Sequence, residues 1–497
     1  MRGKLVFALG LLVVLSPLLY VKFIQVEVKA PDRYQVHNLD TGLNYGSIQD
    51  AIDASETLDG HTIFVEAGTY YESVSVHKSL SLIGENRRTT FIDGNRSGTV
   101  ADITAINVTI SDLTIRNAGF QSPIAGAILL NKTMNCEIRN VIIADCDPCG
   151  LTMFYSASNK VLKSEFVNNT WSLVLVSSNE SRIVDNVISG SSWGIGLGGP
   201  EGSSRNALSG NHISNIDHYG IDVFGFDNKV SSNQISNNLN GILLDMANGN
   251  LVISNNISNN SHNGIALIRS SENNTIIENR IQSNEAHGVF LDVSGNNTFY
   301  HNNFINNTIL ASVLGVPCAW HNGHEGNYWS NYLGVDSNHD GIGDTPHTID
   351  GMQHRDAYPL MGMFSGFNTS LGCSVNVISN STIENFEYLV SNSTIKMLVS
   401  NTTVNQNLGF CRICIPHGLI DPGAGPLSVV IDDGQTPALF FNNTLYDNGT
   451  HGWIYFAYPH STHKIDIVQE FPSLLILPLF VLTTLLAVIV YRRKQTI

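Results

Sequence analysis

The chain predicts a mainly β protein, with a parallel β-helix solenoid first, a small β-sandwich after it and a C-terminal transmembrane helix last. Three observations carry this. Asn186, Asn211, Asn233, Asn255, Asn279 and Asn302 recur at spacings of 25, 22, 22, 24 and 23 residues, and two residues after each stands Ile188, Ile213, Ile235, Ile257, Ile281 or Phe304. Gly194, Gly220, Gly241, Gly264 and Gly288 keep step, each opening a Gly-apolar-x-apolar pattern. Residues 474–491 form an 18-residue apolar run followed at once by Arg492, Arg493 and Lys494.

A period of this size marks a solenoid whose coils bury their apolar faces only against one another. Apolar residues alternate two apart in short runs, which is strand periodicity, and no run is long enough for an amphipathic helix. Each repeat therefore reads as two or three short strands, stacked in parallel about 4.8 Å per coil. An Asn at an inward-turning corner can bond its amide to the Asn above and below, so the column 186, 211, 233, 255, 279 and 302 is expected to be a structural ladder. Catalysis is the other reading of a recurring Asn.

In chain order, Arg2 and Lys4 precede an apolar run over residues 5–21, so residues 1–30 read as a signal peptide or an N-terminal anchor. The solenoid is expected over 34–361. Its first helix is placed at 47–56, with Ser47 as N-cap and Ile48, Ala51 and Ile52 inward, covering the open end of the sheet. Strands follow at 62–66, 74–76 and 80–83. Short alternating runs at 375–378, 394–399, 410–415, 427–432, 439–445 and 453–458, separated by Gly, Pro, Asn and Asp, predict a β-sandwich over 367–468. The sandwich is expected to hold the solenoid off the membrane. Residues 474–491 then cross the membrane and 492–497 form a basic cytoplasmic tail, which places the rest on the extracytoplasmic face of the cell membrane.

Composition bounds the partners. Only 14% of the 497 residues are charged and the net charge is −16, which argues against nucleic acid. Asn-x-Ser/Thr triplets at Asn95, Asn107, Asn131, Asn168, Asn256, Asn273, Asn296, Asn380, Asn392, Asn401, Asn442 and Asn448 suit a glycosylated cell surface. Seven cysteines, an odd number, leave at least one outside any intramolecular disulfide.

Residues 62–94 (TIFVEAGTYYESVSVHKSLSLIGENRRTTFIDG), the Asn/Gly coils and residues 326–346 (GNYWSNYLGVDSNHDGIGDTP) resemble the NosD-type β-helix family, labelled periplasmic copper-binding. That family sits within the pectin-lyase-like carbohydrate-binding and sugar-hydrolase group. The resemblance covers about residues 34–361 and implies that the solenoid is right-handed. It implies less about activity, because the fold hosts lyases, hydrolases, epimerases and passive binders. Glu470-Phe471-Pro472 before the apolar run resembles an archaeal surface-sorting signal, although Gln469 stands where those signals carry proline, so a plain membrane anchor is the expectation.

The sharpest metal signal is Asp336-x-Asn338-x-Asp340-Gly341-Ile342-Gly343-Asp344. Side-chain oxygens of Asp336, Asn338, Asp340 and Asp344, with the Ile342 carbonyl, alternate as a hard cation requires. The twelfth position is His347 rather than Glu, so Asp350 or Asp356 would have to fold back. Calcium and a metal-free Asx-rich closing turn both remain open. His321, His324, His339, His347 and His354 crowd the same region; copper, to which the family label points, and scattered surface histidines are the two readings.

On the face of the Gly-apolar-x-apolar strands, the outward columns read Thr152, Val174, Gly196, Asp222, Leu243, Ala266, Phe290 and Phe154, Val176, Gly198, Phe224, Asp245, Ile268, Asp292. Asp222 and Asp245 on adjacent coils, with His218 and Tyr219 beside them, and Asp147 with Asp145 and Tyr155, are the catalytic candidates, and solvated turn residues are the alternative. Otherwise the columns predict an exposed apolar stripe for a partner, with Trp171, Trp193 and Tyr219 available to stack on a glycan. The sequence therefore predicts a membrane-anchored surface binding or structural module for envelope carbohydrate. The alternatives are a polysaccharide lyase, hydrolase or epimerase on the solenoid face, and a copper-handling protein.

Overall fold

The computed structural model describes residues 35–122, 125–350, 354–402, 406–420, 425–469, 481–486 and 488. The expected segment 1–30 lies outside the described residues. So does most of 474–491, of which 481–486 and 488 are helical. Among the described residues no helix is long and apolar enough to cross a membrane.

Short strands stack coil on coil into three long sheets of 13, 12 and 11 strands, forming a right-handed parallel solenoid. Its register follows the sequence columns. Asn186 is succeeded by Val187–Ser189, Asn211 by His212–Ser214 and Asn233 by Gln234–Ser236, and Ile188, Ile213 and Ile235 pair in line and point inward without exposure. Each coil buries several such Ile, Leu or Val side chains, each contributing roughly 1.5–3 kcal/mol relative to exposure. One continuous core runs from Val36 to Trp329.

The start of that core is closed by a helix at Ile48–Asp53, which buries Ile48, Ala51 and Ile52 as expected. Ser47 Oγ accepts from the Asp50 amide at 3.1 Å, and the Glu72 carboxylate accepts from Ile48 and Gln49 amides at 3.0 Å each. An anion at a helix N-terminus satisfies donors that would otherwise lack intrahelical partners.

The predicted ladder is real, and it has two sisters. In the first, Asn211 donates its backbone N–H and its Nδ2 to Asn233 Oδ1, both at 2.9 Å, while Nδ2 also reaches the Ile183 carbonyl at 2.9 Å. The same pattern runs through Asn186, Asn211, Asn233, Asn255, Asn279 and Asn302 to Asn327. A second column joins Asn206, Asn228, Asn250, Asn274 and Asn297, and a third joins Asn238, Asn260, Asn284 and Asn307. Ser164, Ser181 and Ser191 occupy equivalent positions lower in the stack, each accepting one amide from the preceding coil. The recurrent glycines serve the same corners. A Cβ on Gly194 would lie 2.1 Å from the Gly220 carbonyl, and one on Gly241 would lie 2.4 Å from that of Gly264, so the corner closes only without a side chain.

After the solenoid, strands from Met363–Asn368 to His463–Gln469 form a five-stranded and a four-stranded antiparallel sheet. Val377, Ile413 and Phe456 from one sheet share a core with Ile395, Val399 and Ile467 from the other, giving the expected sandwich. The sandwich begins at Met363, a little before the expected 367. It also seats directly on the end of the solenoid: Asn303 exchanges two 2.8 Å hydrogen bonds with the Phe364 backbone, and Glu325 binds Arg412. All seven cysteines are free, including Cys411 and Cys414 on one strand.

Replacing Asn233 by Ala should lower stability by about 2–3 kcal/mol, because the Asn211 donors lose their buried acceptor. Asn233→Ser, which keeps one acceptor as Ser164 does, should lose about half as much. Urea unfolding of both variants checks this; equal losses would contradict the ladder account.

Candidate functional site

The third sheet presents the site. Its strands Trp193–Gly198, Tyr219–Val223, Asn240–Asp245, Ile265–Ile268 and His287–Asp292 each contain or directly follow a corner glycine, and the residues before these glycines line one edge. Down that edge run Trp171, Trp193, Tyr219, Asn240, Asn263 and His287. Trp171 and Trp193 stack at 4.5 Å and 11°, and His218 continues the stack 4.4 Å from Trp193. Tyr219 lies 5.6 Å from Trp193 at a tilt. Above them, the His262 Nδ1 lies 3.1 Å from Asn240 Oδ1, and His287 Nδ1 donates to Asn263 Oδ1 at 2.9 Å. Trp171 reaches across the sheet because position 196 is glycine; a Cβ there would meet its ring at 2.7 Å.

Inward from this edge lie the acids. Asp222 stands in register between Gly196 and Leu243. Asp245 is one coil further and two residues along, so the two Cα atoms are separated by roughly 8 Å, given 4.8 Å per coil and 3.3 Å per residue. Arg269 Nε donates to Asp245 Oδ1 at 2.6 Å, and its Nη2 contacts Oδ2. Burial pushes the Asp222 carboxyl up to about 6, against a smaller opposing effect of Arg269. The phenol of Tyr219 is raised by burial and then by the charge of Asp222. The edge of an aromatic stack therefore adjoins a carboxyl raised to about 6 and an arginine–aspartate pair that can meet hydroxyls.

Of the sequence candidates, Asp222, Asp245, Tyr219 and His218 come together here, with Arg269 as a partner the sequence did not single out. Asp147 does not join them. It is exposed, accepts from Thr170 Oγ1 at 3.1 Å, and lies three coils away, about 14 Å along the axis. The expected exposed apolar stripe is also corrected. Leu243 and Ala266 are buried, and Val174, Phe290, Phe154, Phe224 and Ile268 are half-buried, because each lies in a parallel sheet where the side chains of adjacent coils flank it in register.

The residues expected to hold metals are placed elsewhere. In the loop from Asp336 to Asp344, the Asp336 carboxylate accepts the Asp340 and Gly341 amides at 2.9 and 2.8 Å. Asp340 Oδ1 accepts that of Ile342 at 2.8 Å, Asn338 Nδ2 donates to Asp340 Oδ2 at 3.1 Å, and Asp344 accepts that of Ser337 at 2.9 Å. Gly341 takes φ +80°, as the sixth position of such a loop requires. Asp350 and Asp356, one of which would have to fold back to complete a cation site, are both engaged elsewhere. Asp350 accepts from the Val313 amide, and Asp356 accepts from Asn327, Trp329 Nε1 and Tyr358.

The five histidines do not converge. His321 packs on Tyr358, His324 on Tyr446, His339 on Phe440 and His347 on Trp329, while His354 is buried in the hairpin with Asp350. Among the described residues no three His, Cys, Asp or Glu side chains form a metal-holding group. This arrangement does not fit a copper centre.

A family model described as periplasmic copper-binding protein (NosD) matches residues 55–225 and 201–334. A cell surface glycoprotein of Methanothermus fervidus is 30% identical over 320 residues, which is 60% of this chain and 53% of that protein, so the chain spans about half the length of the curated relative it matches. Among solved structures, the Azotobacter vinelandii mannuronan C-5 epimerase AlgE4 A-module is 17% identical with a TM-score of 0.43, covering 55% of this chain and 92% of that one. A mannuronic acid specific polysaccharide family 6 lyase from human gut microbiota is 16% identical with a TM-score of 0.47, covering 56% and 77%.

The Asp222 carboxyl holds its proton more tightly in the folded chain than a free carboxyl near 3.8, so its contribution to stability falls as pH rises from about 4 to about 6. Above that window its ionised form costs on the order of 3 kcal/mol. Asp222→Asn should therefore unfold at a higher temperature than the native chain above pH 6.5 and at the same temperature near pH 4. Parallel melting curves check this.

Proposed function

The chain belongs to the family described as periplasmic copper-binding protein (NosD), and from that premise we propose that it is an extracytoplasmic, surface-displayed solenoid that binds envelope carbohydrate along its third sheet. The observation that carries this reading is the stack of Trp171, Trp193 and His218 beside Asp222 and the Asp245–Arg269 pair. The rings stack on one another at the coil spacing, so the edges of Trp171, Trp193 and His218 form a continuous aromatic strip along which an extended polymer can lie. The cell surface glycoprotein relative supports the location. Attachment to the membrane through residues 474–491, with the basic residues 492–494 inside, belongs to the same proposal.

A second reading takes Asp222 as a general acid or base acting on the same polymer, since its carboxyl titrates near neutrality against Tyr219. Binding is favoured because hydrolysis needs two working carboxyls, and Asp245 is already neutralised by Arg269.

The test is to incubate the protein with a panel of neutral and acidic polysaccharides, with and without calcium, following both retention of the protein and glycan length. The reading expects retention without shortening, weakened about tenfold by Trp193→Ala, which removes the middle ring of the strip. Shortened glycans whose production stops in Asp222→Asn would replace it with the enzyme reading.

A further inference from the structure

The three corner ladders end differently at the C-terminal end of the solenoid. In the first, the last amide meets a carboxylate: Asn327 donates its backbone N–H to Asp356 Oδ2 at 2.7 Å. In the second, Asn297 Nδ2 approaches Cys318 Sγ at 4.0 Å. In the third, Asn284 donates twice to Asn307 Oδ1, at 3.0 and 2.8 Å, and Asn307 gives one Nδ2 hydrogen to the Ile281 carbonyl at 2.9 Å. The backbone N–H of Asn307 and its second Nδ2 hydrogen have no partner among the described residues. In Asn284, Asn260 and Asn238 these same two donors converge on one amide oxygen of the next coil.

The reason lies in the chain path. Tyr328–Trp329 still pairs with Asn303 and Phe304, but Tyr332 N–H then turns back to the Trp329 carbonyl and the chain leaves the coil before the third corner. What stands above Asn307 is a cavity of about 450 Å³, a size that suits a small ligand. Its walls include Asn307, Leu310, Trp329, Ser330, His347 and Thr348, with no lysine or arginine among them. Burial lowers the His347 imidazole to about 4, so it is neutral at physiological pH.

We propose that this cavity binds the acetamido group of an N-acetylated amino sugar, whose carbonyl oxygen takes the place of the next asparagine Oδ1 in the third ladder. The two Asn307 donors are spaced for a single amide oxygen, because that is what each preceding rung supplies. The acetyl methyl meets Leu310 and Trp329, and the sugar hydroxyls meet Ser330 and Thr348. A carboxylate is disfavoured, since the walls hold no cation to pair it. The site lies at the end of the solenoid, apart from the strip around Trp193, and does not rest on that reading.

The test titrates the full chain with N-acetylglucosamine, glucosamine and glucose, following saturation transfer to the sugar protons. The proposal expects N-acetylglucosamine to bind about tenfold more tightly than glucose, the effect of one well-made pair of hydrogen bonds. Thr348→Trp, which fills the cavity without touching the ladder, should abolish binding, and Asn307→Asp, which keeps the acceptor for Asn284 but loses both Nδ2 hydrogens, should weaken it about fivefold. Trp193→Ala should leave it unchanged. Equal binding of glucose and N-acetylglucosamine, or binding that survives Thr348→Trp in a variant with native circular dichroism, would overturn the proposal.

Discussion

The structure depends on the side-chain amide of asparagine, which can give two hydrogen bonds and take two. At each corner of the solenoid, backbone must turn inward where water cannot follow, and the turning amides would otherwise be buried without partners. One asparagine per corner resolves this: its Oδ1 accepts two donors from the coil below while its Nδ2 donates to the coil above and to a carbonyl below. From Asn186 to Asn327 the rungs of the first column are made of the same group, so those coils must keep one register, and the strands between corners inherit it. The outward face is then a fixed lattice, on which side chains from successive coils meet at the coil spacing.

That lattice explains which parts were legible in the sequence. The Asn186 column could be read because Ile or Phe always follows two residues later, which fixes its phase. The columns through Asn206 and Asn238 were obscured by Ser181 and Ser191, which fill the same position with a hydroxyl, and by loops that vary between Gly198 and Asn206. Asp222 and Asp245 were visible as outward acids on adjacent coils. Arg269 was not, since nothing local to it indicates that its guanidinium folds back one coil onto Asp245. The outward apolar residues were correctly assigned to a face but not to exposure, which depends on neighbours that alternation does not reveal.

Electrostatics sorts the buried acids by task. Burial tends to raise Glu325, yet the His301 hydrogen bond and the Arg412 charge bring it down to about 2, as suits a carboxylate that joins solenoid to sandwich. Asp356, although it accepts several hydrogen bonds, is carried up to about 6 by its deeper burial, where it receives the end of the first ladder. Asp222 reaches a similar value with no hydrogen-bonding partner among the described residues to hold its charge, and it is half-open to solvent. A structural acid is pinned by partners; an acid left unpinned beside stacked rings is available to a ligand. The histidines around residues 321–354 follow the structural pattern: four pack on aromatic neighbours and His354 is buried in the hairpin.

The most direct measurement is hydrogen–deuterium exchange of the protein with and without its retained polysaccharide. The account predicts slowed exchange confined to the edge of the third sheet and its turns, from Trp171 through Tyr219 to Arg269, with the ladder corners already protected in both states. Protection that instead appeared on the first or second sheet, or over the sandwich, would contradict a binding strip built on this face.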